Sequence, residues 1–246
     1  MSLITFENVT KRFNGRAVLD GLSFSVEKGE ILAIVGPSGT GKSVTLKHLV
    51  RLIEPDAGRI LFDGIDVVSC GAAELAAIRS RIGYLFQGGA LLAWLTVAEN
   101  IALPLRECTD LDEVEIGRRV STALADVELT DAADKYPSEI SGGMQKRAGL
   151  ARAIVRECEV VLYDEPTSGL DPVTSVVINR LIRKLNRERG ITSVVVTHDL
   201  SAALRFANRV MLLKDGHVVA CAEPSAFEAL PNPDVQEFLA AMKGEV

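Results

Sequence analysis

Gly36-Pro37-Ser38-Gly39-Thr40-Gly41-Lys42-Ser43 follows the apolar run Ile31-Leu32-Ala33-Ile34-Val35 and opens onto Val44-Thr45-Leu46-Lys47-His48-Leu49-Val50. Its fixed positions match G-x-x-x-x-G-K-[S/T], the pattern of a phosphate-binding loop between a strand and a helix. Glycines at 36, 39 and 41 let the backbone curl, so that N–H groups around Ser38 point inward at phosphate oxygens. The helix start adds its partial positive charge. In such a loop Lys42 reaches the β- and γ-phosphates of a nucleoside triphosphate, and Ser43 places its hydroxyl on the Mg²⁺ that bridges them.

Working outward, the 246-residue chain is long enough for one large domain or two small ones. A net charge of -6, from 33 acidic and 27 basic residues, gives no electrostatic footprint for nucleic acid. No apolar run approaches the roughly 18 residues a membrane span needs. The N-terminal residues lack a basic segment followed by an apolar stretch, so the expected location is the cytosol. Cys70, Cys108, Cys158 and Cys221 stand singly, without metal-ligand spacing, and most are expected to be buried free thiols.

Residues 3–13 and 22–31 alternate apolar and polar, with turn formers at Asn14-Gly15 and Asp20-Gly21, which predicts an antiparallel sheet beside the phosphate loop. Phe13 either stacks on a base or packs the hairpin, and pattern alone does not separate the two. A turn at 54–58, a strand from Arg59 and a short buried strand at Ile82–Phe86 ending at Gln87 follow. Residues from about 88 to 157 read as mostly helical. Val160-Val161-Leu162-Tyr163-Asp164-Glu165 then resembles a buried parallel strand capped by two carboxylates. A helix over 174–188, a strand at 192–197 ending at His198, a hairpin around Lys214-Asp215-Gly216 and a helical tail over 225–243 complete a doubly wound α/β pattern.

Asp164 is suited to holding the Mg²⁺ shell, and Glu165 to orienting or deprotonating an attacking water. Gln87 suits contact with metal and water, and His198 suits donation to the γ-phosphate. Ser141-Gly142-Gly143 before a helix is either a second anion-binding helix start or a simple N-cap with a glycine turn.

The order of phosphate loop, Gln87, Ser141-Gly142-Gly143, Asp164-Glu165, Ser168-Gly169-Leu170-Asp171 and His198 resembles the ATP-binding subunits of ABC transporters over essentially the whole chain. The resemblance implies one ABC ATPase domain over 1–246: a P-loop core with a mostly parallel sheet, an N-terminal antiparallel subdomain, a helical subdomain at about 88–157 and a tail at about 225–246. It also implies ATP and Mg²⁺ as ligands and a head-to-tail homodimer. In that dimer ATP lies between the phosphate loop of one chain and the Ser141 motif of the other, Phe13 stacks on adenine, and Asp171 arranges the seam. Gln87 then links to an integral membrane permease.

Phe86-Gln87-Gly88-Gly89-Ala90-Leu91-Leu92, Thr96–Leu105, the Ser-Gly-Gly-Met signature and the ending Asn232–Leu239 are similar to the Mla-type, MCE-linked phospholipid transport branch. That branch implies an MCE-domain partner and a place on the cytoplasmic face of the inner membrane. A solute importer, a lipoprotein-release ATPase or a permease-free ABC ATPase remain as alternatives, and the run around Trp94 reads equally as subdomain core or permease-docking surface. Two positions depart from the wider family: Val44 stands where a hydroxyl residue often contacts the α-phosphate, and Met144 where Gln is frequent. Val44→Thr is therefore expected to tighten ATP binding by at most one neutral hydrogen bond, about 1 kcal/mol, with little change in turnover. Nucleotide titration of both proteins measures it, and a collapse of turnover would refute it.

Overall fold

The computed structural model describes residues 2–243; Met1 and the last three residues of the expected tail lie outside the described residues. In chain order the elements are β1 (Ser2–Phe13), β2 (Arg16–Glu27), β3 (Ile31–Val35), α1 (Lys42–Leu49), β4 (Ala57–Phe62), β5 (Ile65–Asp66), α2 (Ala72–Ser80), β6 (Ile82–Leu85), α3 (Val97–Cys108), α4 (Glu113–Asp126), α5 (Gly142–Ile154), β7 (Val160–Asp164), α6 (Pro172–Arg189), β8 (Thr192–Val196), α7 (Leu200–Phe206), β9 (Arg209–Lys214), β10 (His217–Ala222), α8 (Pro224–Glu228) and α9 (Pro233–Lys243). They fall into two compact units, Met1–Arg79 with Thr192–Val246, and Ser80–Ile191.

The first unit holds an antiparallel sheet in the order β2-β1-β4-β5. It also holds β3 lying parallel to both β8 and β9, with β10 antiparallel on β9. Every residue of β3 and β8 is buried, as expected of parallel strands covered on both faces. Asn14-Gly15, Asp63-Gly64 and Asp215-Gly216 each carry two positive φ values, the geometry of tight two-residue hairpins, which is why Asn-Gly and Asp-Gly occupy them.

Asp20-Gly21, by contrast, is not a turn. Strand β2 runs through it from Arg16, and the register against β1 slips there between Val9↔Leu22 and Lys11↔Leu19. Gly21, at φ 65, absorbs the bulge while its N–H donates to Thr10 Oγ1. The tail is two short helices broken ahead of Pro233, and Phe227, Val235 and Leu239 pack with Ala33, Val35 and Leu212 of the sheet. Lys214 fastens α9 by ion pairs to Asp234 at 2.6 Å and Glu237 at 3.1 Å.

The second unit pairs β6 and β7 in parallel and is otherwise helical. Helix α3 begins with a reciprocal cap between Thr96 and Glu99, α4 with Asp112, and α6 with Asp171 followed by Pro172. Among the described residues no helix is long and apolar enough to cross a membrane. The four thiols are free, but only Cys158 is buried; Cys108 ends α3 on the surface, and Cys70 and Cys221 are half-buried.

His48 on α1 is fully buried, and Nδ1 lies 2.7 Å from the Val44 carbonyl, so a neutral ring donates there and Nε2 has no hydrogen-bond partner among the described residues. Burial lowers its pKa below the ordinary 6.5. As pH falls through about 6.5 the unfolded chain takes up this proton while the folded chain resists it, so stability is lost on acidification. Melting curves from pH 7 to 5 should show His48→Leu losing less stability than the wild type. An equal loss would show that this ring does not govern the acid limb.

Candidate functional site

In the first unit the carboxyl ends of β3 and β8 lie side by side, with Ile34 opposite Val196 and the Thr197 N–H donating to the Ile34 carbonyl. The phosphate loop leaves one end and His198 the other, the position where parallel sheets bind ligands. The loop's back is pressed against its neighbours. A Cβ on Gly36 would lie 2.1 Å from the Leu213 carbonyl oxygen, and one on Gly41 2.8 Å from the Val18 carbonyl oxygen, whereas Gly39 faces open space. Glycine is required where the loop touches β9 and β2, and the loop leads directly into the first turn of α1. Lys42 is buried, 6% exposed, and its ammonium donates to the Gly36 and Pro37 carbonyls, each at 2.8 Å. Ser43 and Val44 follow in the same half-buried turn. Phe13, at the end of β1, is 42% exposed with Lys11 Nζ 5.5 Å from its ring centroid, so the ring is not consumed in packing the hairpin.

In the second unit the parallel pairing of Leu85 with Tyr163 brings the ends of β6 and β7 together, and with them Gln87, Asp164 and Glu165. Asp164 is 5% exposed, and Tyr84 Oη donates to its Oδ2 at 3.3 Å. Burial first, then the Asp164 charge, pushes the Tyr84 phenol well above its ordinary pKa, so it stays a donor. Glu165 stands at φ 49, a left-handed conformation that costs a non-glycine residue about 1–3 kcal/mol and persists only where its surroundings impose it. Gln87 is exposed beyond the stacked pair Tyr84 and Phe86.

Ser141 is the N-cap of α5, its Oγ accepting from the Met144 N–H at 3.3 Å. The Gly143 position has no room for a Cβ, which would meet Thr174 Cγ2 at 2.3 Å. That threonine donates to Asp171 Oδ2 at 2.5 Å, and Asp171 also accepts from the Val173 and Thr174 N–H groups. These hydrogen bonds, led by the Thr174 hydroxyl, hold the Asp171 carboxyl below the usual range. The Ser141 motif and Asp171 are thus one packed cluster.

Sequence reasoning missed Lys146 and Arg152. Lys146 donates to the Gln87 and Glu165 carbonyls, and Arg152 to the Gly89 and Ala90 carbonyls. No motif signals these contacts, because backbone carbonyls look alike in every sequence. Trp94, at 73% exposure, belongs to the surface and not to the subdomain core.

The profile of the ABC transporter family matches residues 19–168. The "Intermembrane phospholipid transport system ATP-binding protein MlaF" of Escherichia coli K12 is 41% identical over 97% of this chain and 88% of its own length. The "Probable ribonucleotide transport ATP-binding protein mkl" of Mycobacterium tuberculosis H37Rv is 40% identical over 96% of this chain and 66% of its own. Among solved structures, the dimeric bacterial ABC transporter cassette MJ0796 superposes with a TM-score of 0.83 at 36% identity, covering 90% of this chain and 98% of that one. The same cassette is also known as a post-hydrolysis dimer bound to ADP and Pi, with a TM-score of 0.82. The chain therefore belongs to the ABC transporter family, as one of its ATP-binding and ATP-hydrolysing subunits.

Proposed function

We propose that this subunit energises a membrane permease that moves phospholipid between membranes, working as an ATP-dependent homodimer on the cytoplasmic face of the inner membrane with an MCE-domain protein in the complex. The observation that carries the cargo is the 41% identity to the phospholipid-transport protein MlaF, sustained over 97% of this chain. The likeness to mkl favours ribonucleotide as a second cargo, but that relative extends well beyond the matched region, which covers 66% of its length.

Lys42 holds the β- and γ-phosphates of ATP, with the loop N–H groups around Gly36, Ser38, Gly39 and Gly41 cradling the remaining oxygens, and Phe13 stacks on the adenine. Glu165 takes the proton of the attacking water, Gln87 orients that water, and His198 donates to the γ-phosphate. Ser141, Gly142 and Gly143 serve the ATP of the second chain, and Asp171 braces them through Thr174. The donors Ser43, Gln87 and Asp164 are hard oxygens of the kind Mg²⁺ prefers, and the burial of Asp164 beside Tyr84 fits a carboxylate held for a cation. Ser43, Gln87 and Asp164 would hold the Mg²⁺, which would offset the negative charge of the phosphates during transfer.

The test is to purify the Glu165→Gln protein from its native membranes with ATP and Mg²⁺ and identify what accompanies it by mass spectrometry. A permease, an MCE-domain protein and phospholipid together are expected. A permease without those companions would overturn the lipid reading, and the absence of any membrane protein would overturn the transport reading.

A further inference from the structure

Lys146 lies one turn into α5, beyond the Ser141 cap, and is 6% exposed. Its ammonium donates to the carbonyl oxygens of Gln87 and of Glu165, the latter at 3.0 Å. A buried charge is costly to keep, and burial does lower this pKa, against the pull of Glu165 and Asp164. An apolar side chain of the same length would fill the space without that cost. What the ammonium adds is direction. A carbonyl held in place fixes the backbone torsions on either side, and with them where the side chain of the same residue starts. At Glu165 this matters doubly, because the residue sits at φ 49, a conformation that persists only when its surroundings impose it.

The same helix grips the rest of the segment after β6. Arg152 donates to the Gly89 carbonyl at 2.8 Å and to the Ala90 carbonyl at 2.7 Å. A Cβ on Gly149 would lie 3.0 Å from the Gly89 carbonyl oxygen, and one on Gly89 3.1 Å from the Gln145 carbonyl oxygen, so helix and segment pack backbone against backbone there. We propose that Lys146 is a positioning residue for ATP hydrolysis, holding the main chains of Gln87 and Glu165 to the helix that carries Ser141, so that a displacement of that helix moves both hydrolytic side chains. This rests on the roles given above to Gln87 and Glu165.

The test uses the full chain with ATP and Mg²⁺, comparing Lys146→Met, Lys146→Gln and Glu165→Gln with the wild type. Turnover, nucleotide affinity and melting temperature are measured for each. Lys146→Met, similar in length but without donors, should lower kcat tenfold or more while nucleotide affinity stays within threefold. Lys146→Gln, whose amide keeps two N–H donors, should recover several-fold over it at comparable melting temperature. A kcat within twofold of wild type for Lys146→Met would overturn the proposal, as would a loss shared equally by affinity or a glutamine variant no better than the methionine one.

Should Lys146→Met not fold, Lys146→Ala decides by the same split. It removes the donors to both carbonyls, so lowered kcat at unchanged affinity supports the proposal and wild-type kcat overturns it. Glu165→Gln with full turnover would remove the premise itself, whereas a slow Glu165→Gln beside a fast Lys146→Met overturns the positioning role alone.

Discussion

Replacing Glu165 by glutamine is expected to lower kcat for ATP hydrolysis by about 10²–10⁴-fold, the usual worth of a positioned general base, while leaving nucleotide affinity within a few-fold. The side chain keeps its size but loses its negative charge and its ability to accept a proton. The fold should not change, because the left-handed backbone at this residue is held through its carbonyl by Lys146. With hydrolysis blocked, the ATP-bound dimer should accumulate, visible as a doubled mass by light scattering in ATP and Mg²⁺. Near-normal turnover would take Glu165 out of the chemistry, and a lowered melting temperature would mean that the carboxylate also supports the strand end.

Gly36→Ala should damage both stability and nucleotide binding. The new methyl would lie 2.1 Å from the Leu213 carbonyl oxygen, a backbone atom in β9 that cannot swing aside as a side chain does, and φ is 151. Overpacking and backbone strain together cost roughly 2–5 kcal/mol. That lowers the melting temperature by roughly 5–15 °C for a chain of this size. The loop can relieve the clash only by lifting from β9, which would shift the N–H groups proposed to hold phosphate, so ATP affinity should fall tenfold or more by titration.

Gly39→Ala is the internal contrast. Its φ is 82 but nothing lies within 4 Å of the added carbon, so it carries the conformational strain without the collision and should be the milder variant. Equal effects at the two positions would mean that the close approach to β9 is not what demands glycine at 36.

The phosphate loop was legible because each of its requirements falls on neighbouring residues: glycines for the curl, Lys42 for charge and Ser43 for the hydroxyl, with the buried strand β3 ahead and helix α1 behind. The carboxylates at the end of β7 were legible for the same reason, since an apolar run ending in Asp164-Glu165 has few other uses. Short elements were less so. Helices α2 and α7, of nine and seven residues, carry too few turns for a period to stand out, and neither was anticipated. Gly21 was misread because a glycine at positive φ serves a turn and a bulge equally well. Only the pairing with β1, which continues on both sides of it, selects the bulge.

Local order in the sequence thus determined the chemistry on offer and the family, because motifs are contiguous and their physics is short-ranged. Tertiary structure decided which pieces meet. The parallel pairing of β6 with β7 brings the strand ends that lead to Gln87 and Glu165 together from a sequence distance of 78. The fold brings Lys146 to both their carbonyls from sequence distances of 59 and 19. It also exposes Phe13 and Trp94, and wedges Gly143 against Thr174. None of this is written in residue type, since a backbone carbonyl carries no sequence mark and exposure depends on what the rest of the chain lays over a residue.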